Sequence, residues 1–514
     1  MALSSFIQSV YDRLLDVSNR PFRLTLAIGI ATSILYGTYQ RIFHPLAKVP
    51  GPVVASLTRL WLGRQFRSLK MHRIEIALHH RYGSVVRIGP KEVSVSSPQA
   101  MQLLYGAGSR FEKSDWYVCC GSRKEKEAFN LMGETDMAQY RTHRRLITPA
   151  YTVRAMQDLQ DGMHQVISRF AEVIMGNNGE KVDLSLWINL FSIDLLTNLL
   201  FSKRLGLLDV GKDDGSISAN EISSAYAHWS GLFPWLYDFN SWVIKRFGIH
   251  LFDKHAPYPA VPWCLSQMEP RLESTDSIAP EYQDILAKLI GLRLQNPQLK
   301  RDDVIAMAFT TLYAGFDTMG ITLTATLTLI ASTPGCQKRL HAELDAAREQ
   351  GQISASPTFE ETKQLPYFQA CLAEAMRYHP TTGTTLPRVV PKGGAEIDGY
   401  FLPEGTTVGI SPWVLHRDKS IFGHDADEFR PQRWLEASQD IRYEMEKCSL
   451  EFGGVTRSCP GKQLALVAMN IMLAQILMDF TLHLDGLEEV KEICMFSVHL
   501  ENVKVAFLPR ERTF

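Results

Sequence analysis

Apolar residues recur three and four positions apart in several long stretches of the chain, the spacing that puts them on one face of a helix. Segments 155–174, 184–200, 302–331, 334–349 and 463–478 carry this pattern and predict helices. Alternating runs are few and short. Residues 84–88 with 92–95, and 395–397 with 407–410, predict small sheets beside a helical mass. Segments 106–132 and 212–220 are polar or glycine-punctuated and predict loops. From about residue 55 onward no repeat, low-complexity tract or Gly/Ser linker interrupts the sequence, so one large unit is expected.

The amino-terminal pattern is different. Between Arg23 and Arg41 lies an uncharged run of 17 residues, the lower edge of a bilayer span. No small-x-small cleavage site follows it. The chain continues instead through Pro45, Pro50 and Pro52, which cannot be helix interior. Residues 1–44 are therefore expected to be an uncleaved membrane anchor and residues 45–514 a single domain. A buried globular helix is the alternative for the run.

Charge and composition narrow the picture. The chain of 514 residues has 54 basic and 55 acidic side chains, a balance that argues against a nucleic-acid binder held by charge. With 45% hydrophobic and 21% charged residues it is neither largely disordered nor a polytopic membrane protein. Its eight cysteines are sparse, irregularly spaced and without a CxxC pair, so reduced thiols facing the cytosol are expected.

One of these thiols stands apart. The run Phe452-Gly453-Gly454-Val455-Thr456-Arg457-Ser458-Cys459-Pro460-Gly461-Lys462 delivers a cysteine just before a predicted helix, with Pro460 suited to the first helical position. A sulfur there, two residues after an arginine, sits where amide dipoles and positive charge lower its pKa toward thiolate. Ligand and nucleophile are both open roles, as is a small cysteine buried in a tight turn. The loop does not fit a phosphate cradle, because the glycine spacing and the Ser/Thr of a P-loop are missing. Two further constellations lie upstream. Glu374 and Arg377 are three apart on a predicted helix and can pair there. In the long apolar segment 302–331, Asp317 and Thr318 place an acid and an alcohol side by side, where burial of a charge needs a reason.

The cysteine loop resembles the haem-binding signature of the cytochrome P-450 superfamily, Phe-x-x-Gly-x-Arg-x-Cys-x-Gly, with Val455 where a glycine is usual. The resemblance implies a mainly α fold with small β-sheets, a single large haem domain, and haem b bound axially by Cys459, with Phe452 and Gly461 shaping the loop. Phe429-Arg430-Pro431-Gln432-Arg433-Trp434 resembles the family's Pro-x-Arg-Phe segment, which implies a buried structural network of Glu374, Arg377 and Arg433. Ala314-Gly315-Phe316-Asp317-Thr318-Met319 resembles the family's oxygen-activating segment. There the resemblance implies a helix distorted beside Gly315, with Thr318 orienting dioxygen and water and Asp317 relaying protons. Met319 replaces a second hydroxyl. Tyr140 to Arg144, and Arg388 in Leu386-Pro387-Arg388, resemble the segments that hold haem propionates, so Arg144, Arg388 and Arg457 are expected to bind the cofactor.

The resemblance further implies a haem-thiolate monooxygenase that oxidises an apolar small molecule with dioxygen. No dinucleotide fingerprint is present, so its electrons would come from NADPH through a membrane-bound flavoprotein reductase, met by Arg141, Arg145 and Lys462. An endoplasmic-reticulum location with the domain on the cytosolic side is expected. Segments 44–52 and 416–434 look most like those of filamentous fungi, many of whose enzymes tailor secondary metabolites. Benzoate-like, fatty or xenobiotic substrates are alternatives. So are a reductase-independent dehydratase or isomerase, and a membrane-tethered haem-binding protein without catalysis. Pocket walls are expected from the loop before Arg144, residues 233–252, the neighbours of Ala314, residues 381–386 and the strand near Phe496.

Overall fold

The computed structural model describes residues 20–120, 130–249, 251, 258–273 and 282–510. Residues 1–19 of the expected anchor, 121–129 of the predicted loop, Phe252 of the expected pocket wall and residues 511–514 lie outside this description. The described chain is mostly helical with small sheets.

Three helices form its centre: Arg301–Ser332, Leu184–Phe201 and Lys462–Asp479. Each is apolar around nearly its whole circumference, the composition of a helix enclosed by protein. By length and hydropathy they are able to cross a membrane, but 56%, 78% and 72% of their respective apolar windows are buried inside the protein. Asp183 accepts from the amide of Leu186 and Asp303 from that of Lys300, so two of these helices start on side-chain carboxylates. Small residues then let the first two helices close on each other. A Cβ on Gly315 would meet Leu196 at 2.8 Å, and one on Gly320 would overlap the amide of Asn189.

The predicted segments 184–200, 302–331 and 463–478 match these helices to within two residues, and 334–349 corresponds to Cys336–Glu349. Segment 155–174 is broken into Val153–Gln157 and Gln160–Gly176. The loop expected at 212–220 is already helical from Ser216, in Ser216–Ser230, and 106–132 contains the strand Glu112–Lys113 and the 3-10 turn Asp115–Cys120. Val85–Arg87 pairs with Glu92–Val95 as expected. Ala395–Ile397 does not pair with the 407–410 segment. It pairs with Tyr400–Leu402, because Asp398 and Gly399 adopt φ of 47° and 80° and close a two-residue hairpin first. Thr407–Gly409 instead lies between Glu92–Val95, to which it is parallel, and Arg388–Val389, to which it is antiparallel. A five-stranded sheet results that spans residues far apart in the chain.

Behind the core lies a buried ionic frame. Glu374 is fully buried on the helix Pro366–Tyr378. Its carboxylate accepts from Arg377 Nε and Nη2 at 2.9 and 2.8 Å, Arg433 Nε at 2.9 Å, Trp434 Nε1 at 2.9 Å and the Arg430 amide at 2.8 Å. Arg377 spends its remaining donors on the carbonyls of His416, Ala426 and Glu428. One side-chain cluster thus ties segment 416–434 to the helix that precedes it by about 50 residues in the chain. Such a frame is costly to break, since removing one partner strands a buried charge.

A second buried acid has no such frame. Glu75 is fully buried, with no hydrogen-bond partner on either carboxylate oxygen among the described residues, and Ser411 and the Thr385 amide lie near it. Burial pushes its carboxyl up to about 8. Between the unfolded carboxylate range and pH 8 the folded chain therefore holds one proton more than the unfolded chain. Stability from this site is complete in acid and is lost as pH rises through that window, by up to about 1.4 kcal/mol per pH unit. Glu75→Gln should unfold at nearly the wild-type temperature at pH 5 and at a progressively higher one toward pH 8. A gap between the two melting temperatures that stays constant from pH 5 to 8 would show Glu75 to be ionised throughout.

Candidate active site

The cysteine loop is docked before its helix begins. Gly453 adopts φ of 75°, the left-handed turn that a side chain disfavours, and the Gly454 α-carbon is pressed onto Tyr105. The Thr456 hydroxyl donates to the carbonyls of Tyr105 and Gly106, and the Cys459 amide donates to Phe452 O at 2.8 Å. Val455 has no positive φ and is 71% exposed, so the glycine-requiring geometry falls on Gly453 and Gly454, and the valine is accommodated without strain. The helix itself starts at Lys462 with Gly461 as its cap. Pro460 lies in the preceding turn and not at the first helical position, because the Lys462 amide reaches back to Cys459 O.

Cys459 is exposed although Phe452, Ala465 and Leu466 around it pack against the core. Across the protein, Ala314 and Thr318, four apart on one face of the central helix, are likewise exposed amid buried neighbours. Exposure at positions so enclosed by packed neighbours implies space beside them. Amides of Gly461 and Lys462 and the charges of Arg144 and Lys462 favour the thiolate, yet burial outweighs them and pushes the Cys459 thiol up. The depressed pKa expected from a helix start is thus reversed: desolvation among packed side chains exceeds the dipole.

Three elements bring arginines to this space. Asp136 caps the helix Met137–Ile147 through the amides of Ala138 and Gln139, which fixes Arg144 on its last turn. Arg144 Nη2 reaches Cys459 O at 3.5 Å, while Nη1 is buried without a partner among the described residues. Arg388, on a sheet strand, is buried and donates to Tyr117 Oη at 3.1 Å and to Pro387 O at 3.0 Å. Arg457 donates to the carbonyls of Glu134 and Thr135 and lies 4.5 Å from the ring centroid of Tyr140. Tyr140 thus packs its ring face against one of the expected propionate arginines.

A fourth cation lies beside Arg457 and Arg388. Lys113 is buried on the strand Glu112–Lys113, and its Nζ donates to Met132 O at 2.6 Å. Burial, reinforced by Arg457 and Arg388, depresses its ammonium to about 7. Burial and then Arg388 also lower Arg457. Arg457 and Arg388 are the strongest charge neighbours of Lys113, and Arg388 is that of Arg457. A lone Lys in a two-residue strand gives no sequence signal of this, since what gathers the three cations is sheet pairing across more than 270 residues.

Buried cations that repel one another, an arginine nitrogen without an acceptor and an accessible sulfur fit a dianionic macrocycle with an axial thiolate. Among the described residues no three His, Cys, Asp or Glu side chains gather as a metal site, so Cys459 would be a single protein ligand.

On the opposite side, the central helix runs unbroken as α-helix through Gly315, without the expected distortion. The glycine is required there by the approach of Leu196. The Thr318 hydroxyl donates to Ala314 O at 2.8 Å, within its own helix. Asp317 is buried, with Asn220 Nδ2 donating to its Oδ1 at 3.0 Å. Met319 is buried in the core and faces away from Thr318's exposed side. Trp116 and Phe496 stack with ring centroids 5.3 Å apart.

The chain matches the cytochrome P450 family over residues 49–507. Cytochrome P450 monooxygenase cicH of Emericella nidulans is 30% identical over 93% of this chain and 95% of that protein. Cytochrome P450 monooxygenase sdnT of Sordaria araneosa is 29% identical over 92% of each. A pisatin demethylase of Fusarium vanettenii is 28% identical over 89% of this chain and 87% of its own. The chain belongs to the cytochrome P450 family: it has that fold, is a monooxygenase, and uses haem with a cysteine thiolate and electrons supplied by a reductase.

The loop geometry separates two adjacent positions. Gly454→Ala would drive a Cβ into the Cβ and carbonyl of Tyr105 and should abolish haem incorporation, measured as haem per protein after purification. Val455→Gly, at an exposed site without strain, should retain haem and shift stability by no more than about 1 kcal/mol.

Proposed function

We propose that Cys459 is the axial ligand of this cytochrome P450 monooxygenase and that the enzyme oxidises an apolar small molecule in a tailoring step of fungal secondary metabolism. The accessible Cys459 sulfur beside the unpartnered Arg144 nitrogen carries this assignment. The thiolate-bound haem supplies reductive activation of dioxygen, with the sulfur's electron donation favouring O–O cleavage. Arg144, Arg388, Arg457 and Lys113 bind the propionates, and each carboxylate also relieves the repulsion among these cations. Phe452 and Gly461 shape the loop around the sulfur, and a Cβ on Gly461 would lie 3.8 Å from Sγ. Glu374, Arg377 and Arg433 fix the scaffold behind it.

Thr318 presents its hydroxyl on the accessible face of the central helix and orients water and dioxygen, while Asp317 beside it carries protons. An acid and alcohol at this point favour oxygen activation over a reductase-independent rearrangement. The stacked Trp116 and Phe496, the latter in the expected pocket wall, support an apolar or aromatic substrate. The fungal relatives support a tailoring role, and one of them is named for a demethylation.

The reductase meets the face that exposes Arg141, Arg145 and Lys462. Residues 1–44 anchor the 45–514 domain in the endoplasmic-reticulum membrane, with the domain on the cytosolic side. The helix Arg20–Thr38 supports this, since Leu24, Ile28, Ile34 and Leu35 are 56–70% exposed along it. The helix Pro234–Phe247 adds exposed Trp235, Phe239, Trp242 and Phe247. The anchor is not independent of the domain at its end: Gln40 is buried and accepts from Arg87 Nη2 at 2.6 Å.

Cys459→Ala should lose the red-shifted Soret band of the reduced carbon-monoxide complex. An unchanged band would assign the ligand elsewhere. Removal of residues 1–36, which spares Gln40, should move much of the protein from the membrane pellet to the soluble fraction. Full-length protein found soluble in low-salt lysate would refute the anchor.

A further inference from the structure

Asp317 has a second neighbour besides Asn220. His499, on the strand Ser497–Glu501, places Nε2 3.7 Å from the same Asp317 oxygen. This is beyond hydrogen-bond range, and a shift of about 0.5–1 Å by the ring or the carboxylate closes it. The imidazole is 6% exposed, and its Nε2 is buried with no hydrogen-bond partner among the described residues. An unsatisfied ring nitrogen aimed at a buried carboxylate is a costly arrangement that calls for an explanation.

The surroundings grade from solvent inward. Glu501 is exposed, Glu221 on the helix Ser216–Ser230 is half-buried, and His499 and Asp317 are buried. Glu221 feels His499 as a favourable charge and Asp317, Glu501 and Asp213 as repulsive ones. On the partner strand, Ile493 lies opposite His499 and Lys491 opposite Glu501 in the register. Acidic groups thus flank the ring on both sides, Asp317 in the core and Glu221 toward solvent, with Glu501 and Lys491 at the exposed end of the hairpin.

We propose that His499 delivers protons from solvent to Asp317, with Asn220 holding the carboxylate in place. This rests on the reading of Asp317 as a proton carrier given above. In the step, the Nε2–H bond of the imidazolium breaks as an O–H bond forms on Asp317. The neutral ring then regains a proton from solvent that enters past Glu221. No electrons move and no co-reactant is consumed. His499 acts through Asp317, so it is a positioning and relay residue and does not touch the reacting atoms.

The test uses full-length holoenzyme with its reductase, following NADPH-supported oxygen consumption without added substrate, in water and in deuterium oxide. His499→Gln keeps a polar ring-sized side chain but cannot carry a proton. It should keep the wild-type reduced carbon-monoxide band, slow oxygen consumption about tenfold or more, enlarge the solvent isotope effect and flatten the pH profile. Asp317→Asn should slow it as well, and the double variant should be no slower than Asp317→Asn alone, as expected for groups in series. If Asp317→Asn slows the reaction and His499→Gln does not, the relay is refuted and the role of Asp317 stands. If Asp317→Asn itself is wild type, the reading of Asp317 fails first. Should His499→Gln lose haem, His499→Asn and a crystal structure of the wild-type holoenzyme decide. The structure should show Nε2 bonded to Asp317 directly or through one water, and a ring turned to another acceptor overturns the proposal.

Discussion

The chemistry of this protein depends on presenting one sulfur as an anion in an interior that favours its neutral form. Desolvation raises the Cys459 thiol even though two backbone amides and two cations point the other way. The surrounding cations pose the mirror problem, since burial and the charge of Arg388 push Lys113 and the half-buried Arg457 toward their neutral forms. Each side is electrostatically incomplete. A cofactor with a cationic metal centre and two carboxylates would offset both costs at once.

Such a site tolerates little displacement, and the parts of the fold that carry no chemistry are arranged to prevent it. The Glu374 carboxylate accepts five hydrogen bonds from four residues and thereby fixes segment 416–434 against its helix. His416, within that segment, accepts from the Leu450 amide at its Nε2, so the restraint extends to the start of the cysteine loop. At the loop itself, contact with Tyr105 takes over, and Tyr105 in turn bridges Leu386 O and the Ile410 amide. A continuous polar path thus links the buried ion cluster, the five-stranded sheet and the residue beside the sulfur.

The distal side follows a different economy. Thr318 is satisfied within its own helix, whereas Asp317 accepts from Asn220 and has His499 nearby, on elements about 100 and 180 residues away. Asp317 and Thr318 are adjacent in sequence, yet the environment of the two is supplied locally for the alcohol and globally for the acid. This is why an acid-alcohol dipeptide is readable as a motif while the groups packed around it are not.

What the amino-acid sequence determined by itself is everything held at fixed covalent spacing. The three central helices follow from their apolar periodicity, the cysteine loop from its ten-residue signature, and Glu374 with Arg377 from one helical turn. Val455 looked like a disturbance of the loop, and only the backbone showed that Gly453 and Gly454 carry the special geometry. Tertiary structure decided what packing brings together: the strand partner of Thr407–Gly409, Lys113 among the arginines, and His499 beside Asp317. It also decided the sign of the shift at Cys459, because a helix-start dipole is local and visible in sequence, whereas desolvation is the sum of every atom that folds around the sulfur.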